Sequence, residues 1–225
     1  MTTNPSEISG IKNSSNGEAS KPRRAFSKTE LETLFGSPYF AGCKGIGPKR
    51  RALAGPHIIK DDRYWVPIIC YYTGARVGEI IQMHFDDLIL DTETPHIKIC
   101  GNQIKKGPNK KSLKTKTSNR IVPLHPDLFK LGFREFVTKE LKRKPKDQSR
   151  LFWRVKFSSN YERASDVFSK RFAGMLDNMG LVASDLTLHS LRHTLYQALT
   201  NSKIEKIVGD RILGHSTGGM SNHYD

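Results

Sequence analysis

A chain of 225 residues can bury one core, as a single large domain or a domain with a tail, and no stretch approaches the ~20 apolar residues of a membrane span. Hydrophobic residues make up only 36%, low for a wholly folded chain, and 37 Lys and Arg against 22 Asp and Glu leave a formal charge of +15. That excess points to a polyanionic partner, nucleic acid before an anionic membrane surface, with a merely basic soluble protein as the plain alternative.

Residues 1–24 are rich in Ser, Asn, Gly and Lys, show no hydrophobic periodicity and hold no apolar signal core, so they read as a disordered or linker arm. Order is expected from "SKTELETLF", where Ser27 caps a helix and Glu30 completes a capping box. The Gly-, Pro- and Lys-rich stretch 36–55 reads as loop with at most a short turn. In "DRYWVPIICYYTG", Trp65, Ile68, Ile69 and Tyr72 recur at i, i+3, i+4 and i+7, which predicts one buried helical face stopping at Gly74. A short helix over "RVGEIIQM" follows. "LIL", "HIKIC" and "NRIVPL" then alternate or are β-branched, predicting one small antiparallel sheet. Helices are expected again over 126–141, 163–179, 188–199 and 205–213. The fold class is therefore α+β, mainly α-helical, with a small antiparallel β-sheet. Cys43, Cys70 and Cys100 are isolated and odd in number, which fits reduced thiols of a cytoplasmic protein and not a disulfide framework or zinc site.

Three stretches carry side chains with chemistry. On a helix, "TLHSLRHTLYQAL" gathers Leu188, Leu191, Leu195, Ala198 and Leu199 on one core face, with His189, Arg192 and Tyr196 along its border. An Arg at the edge of a buried stripe can hold its fork of donors in a cleft, which suits a phosphate; the bland alternative is a solvated amphipathic face. His189 and His193 have the i, i+4 spacing of a zinc helix, but Ser190 stands where a Glu is expected and the Arg192 cation opposes a metal. "YYTGARVGEI" places Arg76 at a helix start, where free N–H groups favour anions, with Glu79 to orient it or offset its charge. "LGHSTGGMSNHYD" brings His215 and Tyr224 to the end of the chain. A Tyr hydroxyl titrates near 10 and becomes a nucleophile only with a base or cations beside it.

Together and in order, "TGARVGE", "HSLRHT", "LGHS" and the terminal "HYD" resemble the catalytic domain of the tyrosine recombinase, or phage integrase, family. The resemblance implies a domain over 25–225 with catalytic Arg76, Lys116, His189, Arg192, His215 and the nucleophile Tyr224, supported by Glu79. It implies site-specific DNA cleavage and rejoining through a 3′-phosphotyrosyl bond, without metal, ATP or other cofactor. The family's general-acid Lys lies on a β-hairpin, supplied here by "KKSLKTKTSNRIVPL"; Lys116 is preferred, with Lys114 on the same strand face. Lys105, Lys106, Lys110, Lys111, Lys114 and Arg120 fall in a segment without Asp or Glu and are expected to contact DNA phosphates. The expected partner is double-stranded DNA, with a homo-tetramer on synapsed sites, a monomer when free, DNA-bending accessory proteins and no membrane. The family's clamping domain ahead of the catalytic one, and its segment after the Tyr, lack counterparts, which suggests a truncated domain. A type IB topoisomerase and a non-catalytic DNA-binding remnant are the competing readings.

Overall fold

The computed structural model describes residues 23–101, 111, 119–155, 161–181 and 185–215. Helix α1 (Lys28–Gly36) starts with the expected capping box: the Glu30 N–H donates to Ser27 Oγ and the Ser27 N–H to Glu30 Oε2. Ahead of it the chain is already held. Arg24 pairs with Glu30 and Asp185, and the Phe26 N–H donates to Thr194 Oγ1 at 2.9 Å. The stretch read as loop contains two short helices, α2 (Pro38–Ala41) and α3 (Pro48–Arg51), each begun by a Pro whose fixed φ suits a first turn.

Helix α4 (Asp62–Thr73) is the centre of the molecule. Its apolar residues fill more than the single face that the periodicity marks: Tyr64, Val66, Pro67 and Cys70 are buried as well as Trp65, Ile68 and Ile69. Such all-round burial fits its several neighbours, since α2, α5 (Val77–Ile81) and α9 (Leu188–Asn201) all pack against it. The Trp65 ring meets Phe133 and Phe136 at centroid separations of 5.1 and 5.4 Å.

Strands β1 (Leu88–Ile89), β2 (His96–Ile99) and β3 (Arg120–Pro123) form the small antiparallel sheet in the order β1-β2-β3, with Ile97 opposite both Leu88 and Val122. The helix expected over 126–141 is two helices, α6 (Pro126–Lys130) and α7 (Phe133–Arg143). The break is Gly132, whose φ of 87° is a left-handed conformation that ends one helix and turns the chain into the next. Helices α8 (Tyr161–Asn178), α9 and α10 (Lys206–Leu213) complete the order. Leu188 and Leu191 of α9 are buried as expected, but Ala198, in the same stripe, is exposed. No helix among the described residues is long and apolar enough to cross a membrane.

Candidate active site

The site is built around a turn that only glycine makes easily. Helix α4 ends at Gly74, which adopts φ 61° and ψ 11° and donates its N–H to Cys70 O at 2.9 Å. The Thr73 hydroxyl oxygen then accepts the Ala75 N–H at 3.2 Å, fixing the exit direction. Two residues after Gly74, Arg76 opens α5. The expectation that the free N–H groups of this helix receive an anion is altered: Glu79 folds back and accepts the Arg76 N–H at 2.8 Å. Glu79 also accepts from Arg76 Nη1 at 3.0 Å, so it orients the guanidinium as well as offsetting its charge. The Glu79 side chain is only 5% exposed. Burial works against its ionised form, yet hydrogen bonds and charge from Arg120 and Arg76 outweigh burial and lower its pKa.

Arg192 approaches the same turn from α9. Its Nη1 donates to Gly74 O at 2.8 Å, which joins the "HSLRHT" segment to a residue 118 positions earlier. Arg192 is 3% exposed, and its Nη2 has no hydrogen-bond partner among the described residues. Desolvation, with the nearby charges of Arg76 and Arg120, lowers its pKa to about 10, and Glu79 acts the other way. An unfilled donor on a buried guanidinium is costly until an acceptor arrives, and a phosphate oxygen is one that its charge favours.

The His189 and His193 rings meet edge-on at 5.0 Å. Burial first, then the charges of His193, Arg192, Arg23 and Arg76, lower the His189 pKa to about 4, so its imidazole is neutral at neutral pH. Arg23, which the sequence reading left in the arm, acts on both histidines. Among the described residues no group of three His, Cys, Asp or Glu forms a metal site.

Helix α10 brings in His215. Gly214 takes φ 68°, and the His215 N–H closes back on Asp210 O at 2.9 Å, a Schellman-type ending. The same reversal sets His215 Nδ1 3.2 Å from Asp210 Oδ1. A carboxylate only accepts, so Nδ1 carries the proton in this pair. Asp210 also accepts from Lys206 Nζ at 2.6 Å. Neither Asp210 nor Lys206 stood out in the sequence. The signal that would have found Asp210 is the "LGH" turn, since a left-handed Gly after a helix returns the next residue over the preceding turn. Leu213, 0% exposed, packs against Gly74 and so links α10 to the Arg76 turn. A cleft of about 420 Å³ is lined by His189, Arg192, His193, Tyr196, Asp210 and His215, among others. A larger cavity of about 1060 Å³ lies between residues 44–62 and α7 and includes none of these groups.

The expected site residues therefore divide. Arg76, Glu79, His189, Arg192 and His215 lie in one neighbourhood, while Lys105, Lys106, Lys110, Lys114, Lys116 and Tyr224 lie outside the described residues. Two residues expected to touch DNA do otherwise. Lys111 is buried and places Nζ 2.6 and 2.7 Å from the two Asp87 oxygens, with Cys100 Sγ at 3.4 Å. Arg120 turns inward onto Glu79 and the Ile212 carbonyl. A basic run in the sequence does not distinguish an exposed cation from one neutralised by a distant carboxylate.

The architecture is that of DNA recombinase catalytic domains. The fold matches XerA recombinase at a TM-score of 0.58 and 18% identity, over 87% of this chain and 57% of that one. It matches XerH bound to palindromic difH in a post-cleavage complex at 0.60 and 22%, over 94% and 51%. For the Tn1549 transposon integrase in complex with transposon right end DNA, the values are 0.61 and 16%, over 89% and 61%. The chain spans between half and three-fifths of these structures. No curated protein matches it. Residues 61–225 match the phage integrase family model, and the chain belongs to the phage integrase family.

Proposed function

We propose that this protein is a site-specific DNA recombinase that cleaves and rejoins strands through a 3′-phosphotyrosyl intermediate. The observation that carries the reading is Arg192: a buried guanidinium docked on the Gly74 carbonyl, two residues from Arg76, with Nη2 unfilled. Two donor forks converging there suit the non-bridging oxygens of one phosphodiester, whose charge grows as the phosphorus is attacked. In the step itself, the Tyr224 oxygen forms a bond to phosphorus and the 5′ oxygen leaves. Lys116 supplies the proton to the leaving oxygen, and neutral His189 accepts the one from Tyr224. His215, oriented by Asp210, adds a polar contact to the phosphate. The protein–DNA bond conserves the phosphodiester energy, so rejoining runs the same steps backwards with a second 5′ hydroxyl.

Double-stranded DNA is the substrate, gripped through phosphates by the basic segment that includes Lys105, Lys106, Lys110 and Lys114. Synapsis of two sites by four subunits, from monomers when free and with DNA-bending accessory proteins, completes the proposal. The test is a nicked duplex carrying the protein's attachment site. Wild type should give a denaturation-resistant adduct, and Tyr224→Phe should give none while binding DNA as before. An adduct that survives Tyr224→Phe overturns the nucleophile. Relaxation of supercoiled plasmid without any site requirement would replace the reading with that of a type IB topoisomerase.

A further inference from the structure

We propose that Arg120 is a positioning residue, locking the Arg76 end of the site to the His215 end, and not a DNA contact. The inference rests on the strand-cleavage reading above. Arg120 stands at the head of β3, and its side chain is only 5% exposed, so no phosphate in solution reaches it without moving the protein. Its donors are engaged in two directions. Nη1 and Nη2 donate to the two Glu79 oxygens at 3.2 and 2.8 Å, while Nε donates to Ile212 O at 2.8 Å.

Each partner belongs to a segment of the active site. Glu79 is the carboxylate that also holds the Arg76 N–H and guanidinium. A carboxylate that deeply buried needs both cations to stay ionised, so Arg76 and Arg120 stabilise one shared anchor. Ile212 lies in the last turn of α10, where a carbonyl has no helical partner and must find a donor elsewhere. Three residues later comes His215. Between them, the Gly214 backbone lies so close to Arg120 that a Cβ there would sit 2.8 Å from Nη1. The guanidinium thus spans α5, β3 and the α10 turn. A Lys offers a point charge in place of the fork and cannot satisfy Glu79 and Ile212 together.

The experiment measures single-turnover adduct formation at saturating DNA, and DNA affinity across salt concentrations, for Arg120→Lys. Outer partners that orient the ligands of a metal site typically contribute about 10–100-fold in activity, and a residue that orients two phosphate-binding groups is expected to act on the same scale. Adduct formation is expected to slow by that factor, with dissociation constant and salt slope unchanged. A weaker affinity with a salt slope smaller by about one would make Arg120 a phosphate contact and overturn the proposal. A second substrate carries sulfur at the 5′ bridging position, a leaving group that departs without a proton. It should leave the variant slow, because the fault lies in Arg76 and His215; full rescue would assign Arg120 to leaving-group protonation and overturn the proposal. Glu79→Gln, which keeps the side chain's shape, is the second variant and should give the same sulfur-insensitive loss with folding checked by circular dichroism. Full activity in folded Glu79→Gln protein would also overturn it. Failure of wild type to form any adduct, with either substrate, refutes the strand-cleavage reading instead.

Discussion

Gly74→Ala tests how the site is assembled. The residue has φ 61°, where an L side chain costs about 1–2 kcal/mol. Its added Cβ would lie 2.3 Å from Leu213 Cδ2 and 3.0 Å from Leu195 Cδ2, so the leucines must shift in a packed region. Overpacking of this kind costs about 1–3 kcal/mol, giving about 2–5 kcal/mol in all. That is a large part of the 5–15 kcal/mol that typically holds a domain folded. Urea denaturation monitored by circular dichroism reads it as a lower midpoint at unchanged slope. The cause is separable from the conformational strain by a second substitution. Leu213→Ala alone should cost about 2–5 kcal/mol by leaving a cavity, but in the Gly74→Ala background the new methyl group enters that space. The double variant should then be more stable than the sum of the single effects predicts, by about 1–3 kcal/mol. Additivity within about 0.5 kcal/mol would refute the contact between the "TGAR" turn and α10. Folded Gly74→Ala protein should also form adduct slowly, because Leu213 leads directly to Gly214 and His215.

Protonation of His189 gives a second prediction. With its folded pKa lowered to about 4, adduct formation should stay flat in this group between pH 8 and pH 5, and a midpoint near 6.5 abolished by His189→Gln would contradict the structure. Stability follows the same sign: the unfolded chain takes up the proton near pH 6.5 while the folded one resists until about 4. The stabilisation is therefore present above pH 6.5 and is lost as the solution is acidified through that window, measurable by urea midpoints at pH 7 and pH 5. Lys111 supplies a third prediction. Lys111→Ala strands the buried Asp87 carboxylate and should cost about 3–5 kcal/mol in a urea titration, with the salt slope of DNA binding unchanged. A reduced slope in folded protein would restore Lys111 as a phosphate contact.

What the sequence disclosed depended on the range of the interaction. The capping box of Ser27 and Glu30, the stop at Gly74 and the alternation of "HIKIC" are local, and each stands where the residues indicate. The two helices within 36–55 were hidden because Gly and Pro density reads as loop, although Pro38 and Pro48 occupy the first turn that Pro favours. Gly132 was hidden for the opposite reason: an apolar repeat continues across it while its backbone does not. At the site, motif residues on three separate segments were legible, but what holds them was not. Arg120 meets Glu79 across 41 positions and Lys111 meets Asp87 across 24, and nothing in a run of cations marks which will find a buried partner.

Those buried pairings also explain how a chain with a formal charge of +15 keeps a guanidinium cluster together. Arg76, Arg120 and Arg192 lie within electrostatic reach of one another, and Glu79 is the carboxylate that acts on Arg192 alongside them. Glu79 consumes the forks of Arg120 and part of Arg76, which makes those two cations structural neighbours more than repelling ones. Arg192 keeps the remainder: docked by one nitrogen on a carbonyl, it retains a buried donor that no described residue fills. A site left under-neutralised in this way favours an anion over water, and on the proposed reading the favour grows when the phosphate gains charge in the transition state. The three arginines thus divide the work: Arg120 holds the frame, Arg76 is oriented by Glu79 toward the site, and Arg192 keeps a donor open among the described residues. At the larger cavity beside α7, the carboxylates Asp61 and Glu140 meet Arg51 and Arg154.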